Sequence, residues 1–493
     1  MAARGAKGAR GAKGARCGRC ALVNLDRMRF MWKATAAVAL IAAWSLVAAA
    51  QTIRQVSIVI TNGIVVTVDG ANRILTPGAV AIDGTDIVAV DTVDNVRRQF
   101  RGRQAIDAAG QVVMPGLVNT HTHAPMVLYR GLADDLALDQ WLTKYIFPAE
   151  AKTVSPEFVR AGTRLAALEM IESGTTTYAD MYYFEEEIAR ETKAAGLRGV
   201  LGQTVIQFPV ADAKTPAEGL ARAERFVQAF RNDPLITPAV APHAIYTNDT
   251  ATLKAAREIS VRLGVPTLIH VAETQSEAAT AKERGAGTVV SYLDSIGFLG
   301  PGVVAAHAVW VNDTDMALLK SRGVGVSHNP VSNMKLASGI APVKAYLAAD
   351  VAIGLGTDGA ASNNDLDMFE AMRAASFLQK VATSDPTAVG ASAAVRMATI
   401  GGARALGMDK QIGSLEPGKR ADIIIVSMNA ARQTPMYDPL SHIVYVTNGD
   451  DVQTTIVNGK VLMRDRKMLT LDRAAALRDA KKWAAAVSAA VGR

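Results

Sequence analysis

From Gln51 onward the chain has no cysteine; Cys17 and Cys20 both lie in the first fifty residues. That excludes a disulfide, a thiolate ligand and a cysteine nucleophile from the main body, so any metal there must be held by His and carboxylate. The CxxC of Cys17 and Cys20 has no second half and no strand–helix context, so it defines no zinc or redox site. Histidine is scarce, seven in 493 residues. A Gly-rich phosphate turn is missing after the strand at Gly116–His121, which argues against an open doubly wound sheet. A net positive charge is also lacking in the main body. The net charge of +7 and the pI near 9.3 belong to the leader, since residues 1–33 carry +8 and the chain from Gln51 carries −1. Nucleic acid is therefore not an expected partner.

The apolar run from Ala34 to Val47 is too short for a comfortable membrane span. It follows the basic segment Arg29–Lys33 and precedes Ala48-Ala49-Ala50, an A-x-A cleavage pattern. Residues 1–50 thus read as a basic low-complexity leader and signal peptide. No Arg-Arg pair precedes the run and no Cys follows it, so Sec export is favoured over twin-arginine export or a lipid anchor. The expectation is an exported, periplasmic protein without stable membrane association after cleavage. The alternative is an anchor formed by the uncleaved signal.

Hydrophobic residues make up 49% of the chain, an ordinary globular share, and the length allows more than one domain. Residues 51–113 read as short strands. Val56–Val68 is broken at Asn62-Gly63, and Ala79–Ile82 and Ile87–Val90 are joined through Asp83-Gly84. This is the first part of a small β-sandwich. Residues 114–408 alternate short apolar strands with helical stretches. The strands are Gly116–His121, Thr175–Met181, Gly199–Val205, Thr237–His243, Thr267–Val271, Val303–His307, Gly325–Ser327 and Ala352–Gly356. Eight such units predict an α/β fold, a (β/α)8 TIM-type barrel. Residues 409–465, with strand-like segments at Ile423–Val426, Ile443–Val446 and Thr454–Leu462, complete the sandwich from the other chain end. Residues 466–493 hold a terminal helix.

Barrel active sites form at the carboxyl ends of the strands. Six of the seven histidines, all but His442, fall at these ends. His121 and His123 alternate along one strand and so share a face. With His270 and Asp358 they make three imidazoles and one carboxylate, which leaves a position for water on one divalent ion. Zn²⁺ suits the set, and Fe²⁺ or Mn²⁺ would be accepted. Such an ion makes hydroxide available near neutral pH. Glu273, three residues after His270, can carry a proton from water to a leaving nitrogen. His307 can polarise the attacking water or a developing oxyanion. His328 could simply cap its loop. Strand four supplies His243 and no Lys to bridge a second metal, which favours one ion.

Five stretches carry a resemblance: Pro115–His123, Glu169–Thr177, His270–Thr274, Ser327–Gly339 and Gly356–Gly359. On them the chain resembles the amidohydrolase superfamily, in the branch of cytosine deaminases and triazine hydrolases. It is most similar there to the 5′-methylthioadenosine/S-adenosylhomocysteine deaminases. The match runs from about Val56 to Leu462. The resemblance implies a barrel plus a β-sandwich and metal ligands at His121, His123, His270 and Asp358. It also implies a proton-shuttling Glu273, a second catalytic His307, and proton acceptance by Asp358. It further implies a nucleoside pocket lined by Trp141 and Glu150, in which Glu150 hydrogen-bonds the ribose hydroxyls and His243 contacts the base. Gln203 stands where family members often carry an Arg for the homocysteine carboxylate, and a Gln offers no charge.

The function expected is a metal-dependent hydrolytic deaminase of an adenosine-like nucleoside, releasing ammonia from a small-molecule substrate. An s-triazine or another N-heterocycle is the alternative substrate. A catalytically silent barrel kept for assembly is the alternative of another class. The resemblance also implies a homo-oligomer.

Overall fold

The computed structural model describes residues 53–491. The leader, and with it the expected signal peptide and cleavage site, lies outside them. Eight strands close a parallel barrel in sequence order. They are β1 (Leu117–Thr122), β2 (Thr175–Tyr182), β3 (Arg198–Val205), β4 (Ile236–Pro242), β5 (Thr267–Val271), β6 (Val303–His307), β7 (Gly325–His328) and β8 (Ala352–Leu355). Ring closure is made by Leu355 of β8 pairing with Asn119 of β1. Every residue of β1, β2 and β3 is buried. Helices cover the outside while side chains fill the inside, and the polar residues among them, such as Asn119, Thr122 and Asp180, are buried with hydrogen-bond partners.

The segment after β8 closes the barrel interior. Ala403, Leu406, Met408 and Ile412 pack against Val118, Val200, Leu268 and Val304. Gly325 makes room for that segment, since a Cβ there would lie 2.1 Å from the Ala405 carbonyl oxygen. Among the described residues no helix is long and apolar enough to cross a membrane.

The second element is a nine-stranded mixed sheet drawn from both chain ends. Arg54–Val66 pairs antiparallel with Ile74–Asp83 and parallel with Phe100–Asp107 and Gln111–Pro115. Gln111–Pro115 then pairs antiparallel with Ile423–Ser427, which brings the two halves together. The sheet encloses its own core, in which Ile58, Ile60, Val80 and Ile82 meet Ile423, Ile425 and Ile456. The expected break at Asn62-Gly63 is a bulge inside one long strand, with Asn62 at φ 66°.

Two expectations are corrected here. Met114 and Pro115 belong to the sheet, and the barrel begins at Leu117. Gly116 sits between them because a Cβ there would fall 2.1 Å from the Thr176 side chain. Ile443–Val446 is not a strand: Pro439–Tyr445 forms a helix. Asp438 accepts from Leu440 N at its start, and Pro439 occupies the first turn, so local capping outweighs the β-branched residues.

The terminal helix runs from Arg473 to Val491. Its Trp483 packs edge to face on Phe158 of the helix Pro156–Glu172, with centroids 5.3 Å apart.

Candidate metal centre and active site

The barrel brings the expected ligands together. His121 ends on β1 with His123 just beyond it, and their rings meet edge-on with centroids 4.9 Å apart. His121 Nε2 and His123 Nε2 each lie 3.4 Å from Asp358 Oδ1. His270 Nε2 lies 3.3 Å from His123 Nε2.

The hydrogen bonds on the far side of each ring decide what these nitrogens can do. His123 Nδ1 is 2.6 Å from the Met181 carbonyl oxygen, and His270 Nδ1 is 2.8 Å from that of His243. A carbonyl only accepts, so both protons sit on Nδ1 and both Nε2 atoms present lone pairs. Two lone pairs facing each other at 3.3 Å repel unless a cation lies between them. The buried His121 Nε2 also makes no hydrogen bond. These ligand atoms fit one divalent ion: His121, His123 and Asp358 form one donor group, and His270 Nε2 faces His123 Nε2 as a fourth.

Asp358 is shaped for that task. Ser332 Oγ donates to its Oδ2 at 2.7 Å and Gly359 N to its Oδ1 at 2.7 Å. Burial pushes its carboxyl up, but the His121 and His123 rings outweigh burial and hold it well below the usual range. Burial drives His121 down to about 4, so its ring is neutral and available as a ligand at neutral pH.

His307 closes β6 and can approach His121 and His270 as a donor. It faces elsewhere, however. Its Nε2 lies 3.7 Å from Glu273 Oε2 and 3.9 Å from Asp358 Oδ2, while Asn333 Oδ1 accepts from Nδ1 at 2.8 Å. Burial pulls its pKa down, but Glu273 and Asp358 prevail and raise it. With Nδ1 held by Asn333 and two carboxylates beside Nε2, the ring is placed to act on a group bound next to Glu273 and Asp358. Glu273 is buried, which raises its carboxyl, and Ser338 Oγ donates to Oε1 at 3.3 Å. Ala272, His307, Ala308 and Asp358 all hold left-handed backbone, at φ 49°, 71°, 44° and 64°. Such strain gathers where side chains must be aimed against local preference.

A cavity opens above the donors. His123, His270, Glu273, His307 and Asp358 line it together with Trp141, Glu150 and His243. Trp141 and Glu150 are nine residues apart and would lie on opposite faces of an unbroken α-helix. The stretch Trp141–Ile146 is π-helical and precedes the α-turns Phe147–Thr153. The wider turn resets the phase, so both side chains reach the cavity. Tyr182 donates to Glu150 Oε1 at 2.7 Å, and burial pushes that carboxyl up to about 7. The buried Trp141 Nε1 has no hydrogen-bond partner. His243 Nδ1 pairs with Thr247 Oγ1 at 3.0 Å, which leaves its Nε2 unengaged at the cavity wall.

Gln203 is the expectation the structure does not support. It is fully buried off the cavity, where Nε2 donates to Asp212 Oδ2 at 2.9 Å and Oε1 accepts from Arg222 Nε at 3.3 Å. Its place is in the wall behind β3 and not in a substrate contact. His328 caps no loop with its side chain: it is fully buried and both ring nitrogens lack partners. Tyr182, Tyr183 and Tyr246 line the cavity without having been singled out, although paired tyrosines at a strand end are a legible sign. Ser332, Asn333 and Ser338 orient the catalytic groups from within Ser327–Gly339, where no spacing rule assigned them roles.

A parallel barrel whose carboxyl face gathers imidazoles, a carboxylate and a buried Glu defines a metal-assisted barrel hydrolase. More narrowly, the chain belongs to the amidohydrolase family, whose model matches residues 112–462. It is 46% identical over 418 residues to the 5-methylthioadenosine/S-adenosylhomocysteine deaminase of Syntrophobacter fumaroxidans, covering 85% of this chain and 95% of that one. It is 45% identical over 429 residues to the 5′-deoxyadenosine deaminase of Methanosarcina mazei, covering 87% and 97%. Among solved structures, an adenosine deaminase from Xanthomonas campestris with bound zinc superposes with a TM-score of 0.87. It is 38% identical, and the match covers 89% of this chain and 100% of that one.

Proposed function

We propose that this chain hydrolytically deaminates an adenine nucleoside of the methylthioadenosine or 5′-deoxyadenosine type, with one zinc ion. The carrying observation is that one cavity holds both the metal-competent donors and, with Glu273 and His307, the buried Glu150. An acidic hydrogen-bonding group beside Tyr182 suits the vicinal hydroxyls of a ribose, and a free base or a triazine has no use for it. A chamber of about 320 Å³ shares Phe147, Glu150 and Tyr183 with the cavity, which supports room for a 5′ substituent.

The ion would be held by His121, His123, His270 and Asp358, and it supplies a water acidic enough to react near neutral pH. The chain's own groups do the rest. Glu273 takes one proton from the attacking water and gives it to the ring nitrogen, and it then passes the second, received from Asp358, to the departing amine. His307, fixed through Asn333, donates toward the oxygen that becomes the product carbonyl. Asp358 accepts the second proton. His243 Nε2 and Trp141 Nε1 orient the heterocycle, and Glu150 takes the ribose. Ammonia leaves and the ring becomes a lactam.

Export and homo-oligomerisation belong to the same reading, supported by the leader's composition and by the family resemblance. The test is ammonia release by zinc-loaded protein starting at Gln51. Turnover of methylthioadenosine, 5′-deoxyadenosine or adenosine above adenine and a triazine is the expected result. Activity confined to a free base or a triazine would keep the metal chemistry and sink the nucleoside assignment.

A further inference from the structure

Glu273 sits on a turn that the surrounding backbone does not stabilise unaided. Ala272 is left-handed at φ 49°, a conformation that costs a non-glycine residue free energy. The amide protons of Ala272, Glu273 and Thr274 all point the same way. They find one acceptor, the carboxylate of Glu277: Oε2 accepts from Ala272 N at 3.2 Å, and Oε1 from Glu273 N at 2.7 Å and Thr274 N at 3.3 Å. Three successive N–H groups converging on an anion form a backbone nest, here filled by the chain's own side chain. On the opposite side the Ala272 carbonyl accepts from Val309 N at 3.0 Å and Trp310 N at 2.9 Å. Those residues follow His307 and Ala308, themselves left-handed. The Glu273 turn and the His307 turn are thereby stitched into one unit, and Glu277 fastens it from the outside.

Glu277 is 3% exposed and opens the helix Glu277–Glu283, so its carboxylate has little alternative to this role. Its carboxylate bonds are all to the backbone, and it is absent from the lining of the catalytic cavity.

We infer that Glu277 is a positioning residue for the reaction, holding the Glu273 carboxyl in register with His307 by filling the nest of amides at residues 272–274. The inference rests on Glu273 carrying the proton. Loss of the nest displaces one catalytic group while leaving the metal donors and the nucleoside contacts in place. Misplacement by about 1 Å costs on the order of 100-fold in rate, so the loss should fall on kcat.

The experiment is a double-mutant cycle on zinc-loaded protein, with metal content, kcat and KM measured for each member. Glu277→Gln should keep one metal per chain and an unchanged KM while kcat falls about 10–100-fold. In the Glu273→Gln background the same change should cost nothing further, because the group it positions is gone. Glu277→Asp guards against a folding failure: it keeps the charge but falls one methylene short of the three amides. It should lower kcat about 10-fold at constant KM and metal content. Losses that add in the double variant, or a kcat that falls in step with metal content, would overturn the inference and leave Glu273 untouched. Full turnover in Glu273→Gln would overturn both readings.

Discussion

Glu150 lines the catalytic cavity at 7% exposure, with Tyr182 donating to Oε1. Burial raises its carboxyl from 4.5 to about 7, and the Tyr182 and Tyr183 hydroxyls recover part of that. An acid raised in this way binds its proton in the native state and releases it in the unfolded state across the window from 4.5 to about 7. Stability therefore falls as pH rises through that window and stays low above it. At 1.36 kcal/mol per pH unit the loss is about 3 kcal/mol. Glu150→Gln keeps the volume and the acceptor oxygen for Tyr182 and removes the charge. Urea denaturation should find the variant about 3 kcal/mol more stable than the parent at pH 8, with the two equal near pH 4. The gain has a functional counterpart. Charged hydrogen bonds contribute about 1.5–3 kcal/mol each, so kcat/KM for a nucleoside should drop about 10–100-fold, with a free base unaffected. A variant no more stable at pH 8 would refute the buried-charge argument. An equal loss on base and nucleoside would refute the ribose contact.

Glu273→Gln should retain one metal per chain and lose about 100- to 10,000-fold in kcat, measured as ammonia release; undiminished turnover would end the proton-carrier assignment. His121→Ala removes a buried donor that has no other partner, so metal analysis should show the ion lost; full stoichiometry would mean the ligand set is wrong. Arg198 meets Asp422 at 3.0 Å and 3.2 Å, both nearly fully buried, where the barrel joins the sheet. Arg198→Met strands the Asp422 charge and should cost about 3–5 kcal/mol in urea; a cost below about 1 kcal/mol would show that the pair is not felt.

Much of this was legible because parallel strands buried on both faces are mostly apolar, so a His or Asp at the end of one stands out. His121, His270, His307 and Asp358 were found that way, and barrel strand ends fell within about a residue of those expected. The misses have a different physics. Pro439–Tyr445 has strand-like composition but a stronger cap, so local hydrogen bonding decided it. Gln203 sits at a strand end like the ligands, yet Asp212 and Arg222 draw its side chain away from the cavity. Ser332, Asn333, Ser338 and Glu277 act through loops, where no period relates sequence to direction.

The sheet assembled from both termini has a consequence for the order of synthesis. Gln111–Pro115 acquires its antiparallel neighbour only when Ile423–Ser427 exists, roughly 300 residues later. At roughly 5–20 residues per second that is roughly 15–60 s during which Val113 and its neighbours have an unzipped edge. The barrel is made wholly within that interval. A nascent chain of this design finishes its middle before its beginning, and premature release would leave a closed barrel trailing a half-built sheet.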